Sequence, residues 1–579
     1  MSVISKASFV QIPSGYGEDK LYSEVPNTTA GDFTFTRAST GTRVNADGYI
    51  EEVPWNLITY SEDYSSQWSK SNTTIIANDT ISPRGTQDAS KIYPNSSGNY
   101  RHIRNPFFNP SSGLYTFSIY AKAAELDHLV LIDYDGSGIG IDFDLTNGVA
   151  TDNASTPFDS FSMTDVGNGW YRCVATATDM YFYWILSDNG GLSVTANGTD
   201  GLFIWGAMIN KGTSVKRYIK TTDRLDIPRL DYSGGASCPT LLLEPQRTNL
   251  VPYSEDFSQW SAIGSNQTLV NNTNPIDNNA YGIESSVTSS HSRIYRNALM
   301  TAGNDYSSTY LVKPSSNPPE YLGFACISNL QPDVLYDFAN DQFVDFNIVG
   351  NAAKCESISM NNGWKLLKVP VHENVINTRF NIYQGSRVGN NLYGTTGQSY
   401  YIKFAQLEQG SYSTSYIPST SGTSVTRVGD VCKDAGDATI FNDSEGVLFV
   451  EIKALSDLVE SRLSINNGTN LQTIQIRQSG SVSNQYNIGF SNGTLNKFIV
   501  VDDITQYNKI AVSYNSSEAK IFINGIEVAS DNLITTPIGL DRLSFDRGDN
   551  SFFFYGKVKQ LIYFDQALTD EELATLTTI

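Results

Sequence analysis

Asp133, Asp135, Ser137, Gly138 and Asp144 fall at positions 1, 3, 5, 6 and 12 of the run DYDGSGIGIDFD, the spacing with which an acidic loop wraps oxygen ligands around calcium. The flanking residues alternate like strands, however, and Asp337, which matches Asp144 in a second copy of the segment, lacks the companion ligands. A hairpin turn therefore accounts for the run, with Asp133, Asp135 and Asp144 as the calcium candidates and no other cofactor expected. A second chemistry is sugar recognition, in which an aromatic face stacks on a pyranose while carboxylates, amides or guanidiniums bond its hydroxyls. The run DMYFYWILSDNGG supplies Tyr181, Tyr183 and Trp184 as stacking candidates, although core or subunit packing explains such a strand more simply. The loop SFDRGDN supplies Asp546, Arg547 and Asn550 as hydrogen-bonding candidates, with a solvated hairpin as the plain alternative. A third chemistry, polysaccharide cleavage, needs two carboxyl groups roughly 5–10 Å apart. Its nearest approach, Glu125 and Asp127, has Val130 where a second glutamate would complete a paired-acid strand. None of His102, His128, His291 and His372 stands beside a serine or cysteine in a recognisable nucleophile turn, so no enzyme is expected.

The elements that would position these residues come from a duplication. NLITYSEDYSSQW begins at Asn56 and NLVPYSEDFSQW at Asn249, and each is followed by the same series of strand-like runs. Asn56, Trp170 and Ala207 match Asn249, Trp364 and Ala405, at offsets of 193, 194 and 198. A nearly constant offset means that a whole folding unit was copied. Period-two alternation, as in Trp170, Arg172 and Val174, closed by Asn-Gly and Ser-Gly turns, indicates strands with one buried face. The economical architecture is all-β: two antiparallel jelly-roll sandwiches at residues 53–222 and 246–420, and a different sandwich at 433–579. Residues 1–52, 223–245 and 421–432 are then an extended N-terminal segment and two connector arms. In ALTDEELATLTTI a short closing helix is expected, capped by Thr569 with Glu572 reaching back, and with Leu573 and Leu576 inward.

Composition narrows the partners. The 579 residues carry 39 Lys plus Arg against 60 Asp plus Glu, a net charge of -21 that repels nucleic acid. The opening MSVISKASFVQIPSGYG has neither a basic nor an apolar leader region, and no apolar run is long enough to span a bilayer, so no membrane insertion is expected. Five scattered cysteines lack the spacing of a zinc site or a disulfide framework.

Two stretches carry a family likeness. NKIAVSYNSSEAKIFINGIEVAS with FYGKVKQLIYFDQALTDEEL resembles the concanavalin A-like, laminin-G-like sandwich. IPSGYGEDKLYSEVP, FTRASTGTRVNADGYIEEV, LLLEPQRTNLVPYSEDFSQW and TSYIPSTSGTSVTR resemble tailed-bacteriophage virion proteins with carbohydrate-binding-module-like jelly rolls in series. That resemblance implies a head or tail fibre, or a decoration, on the outer surface of a phage particle made in the host cytoplasm. It implies attachment to other virion proteins through the N-terminal segment, binding to host-surface or mucus glycans, and a homotrimer. The alternatives are a structural adaptor that binds no sugar, and a polysaccharide depolymerase.

Overall fold

The duplicated dodecamer closes each jelly roll onto its own last strand. In the first copy Asn56 Nδ2 donates to the Ile219 carbonyl at 3.1 Å and also to the Ala207 carbonyl at 2.6 Å, and its Oδ1 accepts from the Ile58 and Ile209 amides at 3.1 Å each. In the second, Asn249 Nδ2 donates to the Ile417 carbonyl at 2.8 Å, and its Oδ1 accepts from the Val251 and Leu407 amides at 3.1 and 3.3 Å. The indole N–H groups of Trp68 and Trp260 donate to the carbonyls of Tyr60 and Tyr253 at 2.9 and 3.0 Å. Both tyrosines hold a positive φ, 54° and 52°. Ser61 and Ser254 bond the phenols of Tyr218 and Tyr416, which donate on to Glu62 and Glu255. The motif recurs because the same bonds are made twice.

The computed structural model describes every residue except 1–2, 54–55, 107–113, 134–139, 155–157, 179–181, 214, 217, 223–225, 236, 272–278, 302, 327–331, 347 and 373–378. The chain divides into two units, residues 54–225 and residues 1–53 with 226–579. The first unit is one jelly roll. One of its six-stranded sheets runs in the order Ser69–Ser71, His102–Arg104, Phe182–Ser187, His128–Asp133, Ile141–Asp144, Val149–Asp152. The facing sheet runs Thr73–Thr80, Ala89–Pro94, Leu202–Lys211, Leu114–Lys122, Trp170–Thr178, Ser160–Gly167. In the second unit the copied jelly roll repeats both orders, with Ser292–Asn297, Arg379–Val388 and Tyr321–Ala325 central to one sheet, to which Asn391–Tyr393 adds a seventh strand beside Arg379–Val388, and Ser399–Gln409 and Tyr306–Pro314 central to the other.

The extended arm expected of the first 52 residues is not what the structure contains. Phe9–Gln11 pairs antiparallel with Gly556–Phe564, through Phe9 opposite Tyr563. Further along the same edge Thr240–Leu243, from the first connector, pairs with the start of that strand, Leu241 opposite Val558. Phe33–Thr36 pairs with Val431–Lys433 from the second connector. The N-terminal segment and the first connector thus cover an edge that would otherwise present unpaired backbone, and the second connector is held by the N-terminal segment. Phe9, Leu21, Phe33, Phe35, Leu230, Leu241 and Leu243 enter one buried cluster with Leu448, Val450, Leu463, Tyr486 and Leu561. Each full burial of such a side chain is worth about 1.5–3 kcal/mol. Residues 433–579 alone would lack this part of their core.

Charge locks the same junction. Arg37, Arg229 and Arg427, one from each added segment, are buried around Asp430 and Glu244. Arg37 Nη1 lies 2.8 Å from Asp430 Oδ1, Arg229 Nη2 bonds Asp430 Oδ2, and Glu244 meets Arg229 at 2.5 Å and Arg427 at 2.8 Å. Burial alone would raise the Glu244 carboxyl, but Arg427 and Arg229 outweigh it and hold it well below the usual carboxylate range. A depressed carboxyl stabilises the fold fully above its unfolded value of ~4.3 and loses that contribution as pH falls through the lower folded value. Stability of this unit, followed by urea unfolding at stepped pH, should therefore decline below about pH 4 through Glu244, and Glu244→Gln should flatten that part of the profile.

The closing helix is Asp570–Thr577. Thr569 caps it with the reciprocal Glu572 bond, Leu573 is buried and Leu576 packs partly buried beside it.

Candidate functional site

The aromatic stretch is core. Trp184 is 1% exposed, between Phe143 and Phe182, and Tyr183 is 6% exposed, covered by Arg104 and edged by His102. Neither offers a face to a sugar; Tyr181 lies outside the described residues. Of the calcium candidates, Asp135 and the Asp133 side chain also lie outside them. Asp144 is a turn cap: its carboxylate accepts from the Thr146 and Asn147 amides and the Asn147 side chain. Asp337 repeats this with Ala339 and Asn340, so the turn after each of these strands is built alike in both copies, while the turn inside the 133–144 run lies outside the described residues. Asp127, His128 and Asp144 come within 4.8 Å of one another. His128 Nδ1 lies 2.9 Å from Asp142 and Asp127 Oδ2 accepts from Thr146 Oγ1, which leaves His128 Nε2 facing Asp127 Oδ1 at 3.9 Å.

The C-terminal loop candidates lie at a better surface. Asp546 is 2% exposed and accepts from the Gly548 amide at 2.6 Å, so it shapes the loop and is closed to a ligand. Burial raises its carboxyl despite that bond. Arg547 pairs with Asp549 and stands 4.8 Å over the Phe552 ring. Asn550 is exposed and accepts from Lys433 Nζ at 2.5 Å. Arg462 stands 4.8 Å from the same Phe552 ring, which brings this loop to the edge of a sheet.

That sheet has the order Asn496–Val500, Gln485–Phe490, Thr473–Gln478, Ser461–Asn466, Arg542–Ser544. Side chains alternate across it, so Leu463, Ile465, Ile474, Ile476, Tyr486 and Ile488 enter the core. The intervening residues form a polar ladder on the opposite face. Arg462 Nη1 donates to Gln475 Oε1 at 3.2 Å, Arg477 Nε faces Glu460 at 3.1 Å, and Asn487 Nδ2 donates to Asn496 Oδ1 at 3.0 Å. Arg462, Arg477, Asn487 and Phe498 are opposite one another in register. The ladder ends in apolar surface: Phe498 is 63% exposed and Val500 65%, with Phe552 42% exposed at the loop side. Phe552 also has φ 54°, uncommon for a bulky residue. The Gln475 amide and the guanidiniums of Arg462 and Arg477, between two exposed phenyl rings about four strand spacings or 19 Å apart, can bond hydroxyls, and the rings can stack on an apolar ring face. The sequence-based candidates Arg547 and Asn550 lie beside this face, whereas Gln475, Arg477, Asn487 and Phe498 were not among them. Their signal was polar residues at every second position of QTIQIRQ and NQYNIGF.

No family model matches the chain, and no curated protein matches it. Among solved structures, the CBM40 of the Ruminococcus gnavus IT-sialidase, bound to α2,3-sialyllactose, is 18% identical, covering 25% of this chain and 93% of its own at a TM-score of 0.21. The CBM22 tandem of Paenibacillus barcinonensis Xyn10C is 9% identical over 64% and 99%, TM-score 0.20. Domains LG4-5 of the mouse laminin α1 chain are 11% identical over 48% and 89%, TM-score 0.18. These overlaps are too slight to carry a functional argument; the strand orders and cores above establish an all-β chain of two copied jelly rolls and a third, different sandwich.

Proposed function

We propose that this chain is a head or tail fibre, or decoration, of a tailed bacteriophage, displayed on the outside of the virion, and that it holds host-surface glycans without cleaving them. The observation that carries the binding reading is the polar ladder between Phe498 and Phe552 on the C-terminal sandwich. The resemblance of the repeated phrases supports the phage reading. Attachment to other virion proteins through residues 1–52 would use their exposed side chains, because their strands are already paired within the chain.

A glycan array probed with the full chain tests the binding. Saturable binding is expected, and Phe498→Ala should weaken it roughly five- to tenfold, in line with about 1–1.5 kcal/mol for a lost ring contact. Because Phe498 is mostly exposed, its loss should leave the melting temperature unchanged. Silence across host-surface glycans would favour the adaptor, and release of reducing ends from host capsule would favour the depolymerase. Light scattering should give three copies per particle of purified protein, and immunogold labelling should place the chain on the virion surface.

A further inference from the structure

A second recess lies in the unit of residues 1–53 and 226–579, away from the polar ladder. It is a cleft of about 770 Å³ between the copied jelly roll and the C-terminal sandwich, floored by Thr42, Arg43 and Asp231. The volume suits a small ligand. Its charge runs against the chain as a whole: five cations, Arg43, Lys354, Lys368, Lys453 and Lys557, line it beside four carboxylates, in a protein with 39 basic and 60 acidic residues.

Most of these charges are spoken for. Lys557 Nζ lies 2.6 Å from Asp231, Lys368 lies 3.1 Å from Glu356, Arg43 lies 3.1 Å from Glu51, and Glu244 belongs to the buried arginine cluster. Lys453 differs. It is half-buried, directly opposite Lys557 on the neighbouring strand, and among the described residues no carboxylate lies within ion-pair distance of its amine, which has the Tyr507 ring at 5.3 Å. Burial, with Lys557 and Lys368, pushes its amine below the usual lysine value, against the more distant pull of Glu356 and Asp231. A half-buried ammonium with like charges beside it is held at a cost that a bound anion removes. Hydroxyls of Ser411 and Thr505 also line the walls.

From this geometry we infer that the cleft binds an acidic saccharide, with its carboxylate or sulfate against Lys453. The inference stands apart from the sheet-face reading, since it uses none of the same residues. The test is calorimetric titration of the full chain with galacturonate oligosaccharides, their neutral methyl esters, and sulfated heparin-derived oligosaccharides. Saturable binding of either acidic probe, at least tenfold tighter than the neutral ester, is expected. Lys453→Gln should lose at least tenfold of that affinity, Lys453→Arg should stay within about threefold of wild type, and added salt should weaken binding. Phe498→Ala should leave it unchanged, which separates failure here from failure at the sheet face. Absence of binding by both acidic probes, or equal affinity of wild type and a folded Lys453→Gln variant, would overturn the inference.

Discussion

Asp430→Asn is expected to destabilise the unit formed by residues 1–53 and 226–579 by about 3–5 kcal/mol, the cost of leaving a buried ion pair without one partner. The side chain keeps its shape but loses the charge that Arg37 and Arg229 share, and both guanidiniums are almost wholly buried. Its Oδ2 also accepts from the Glu244 amide at 2.8 Å, so one residue ties the N-terminal segment to both connectors. Urea unfolding should show the lowered midpoint in this unit. Lys520→Ala, which breaks an exposed pair with Asp570, is the control and should cost at most about 1 kcal/mol. A shift for Asp430→Asn as small as the control's would mean that the cluster does not hold the junction.

Trp184→Ala should cost the 54–225 unit about 3–5 kcal/mol, because the indole is deep in its core and leaves a cavity that neighbours on paired strands cannot fill. Glycan binding by the C-terminal sandwich should be untouched. Calorimetry and the array, run on the same variant, check both halves. Lost glycan binding in a variant whose melting is unchanged would return Trp184 to the list of sugar platforms.

Much of the fold could be read from local pattern. The duplication shows in constant offsets, and the repeated Asn, Ser and Trp of the dodecamer are the residues that make the same clasp in each copy. Thr569 and Glu572 announce the helix, because a capping box is complete within four residues. What escaped depends on distant partners. Phe33 and Phe35 alternate with threonines as a strand should, yet nothing nearby says that they fill a core built by residues more than 400 positions later. Arg37, Arg229 and Arg427 sit in Thr-Arg or Pro-Arg phrases, where an isolated arginine seldom signals burial until its carboxylate is in view. The ladder was hidden for the opposite reason: Gln475 and Arg477 are ordinary polar residues on the outer face of a strand until Phe498 and Phe552 are seen to flank them.

NMR titration of the full chain with whichever array glycan binds best tests most directly whether the C-terminal sheet face is a sugar-binding surface. Shifts at the side-chain amides of Gln475, Asn487 and Asn496, saturating together and abolished by Phe498→Ala, are the predicted result. Saturable shifts that map elsewhere and ignore Phe498→Ala, or an array with no glycan bound at all, would contradict it.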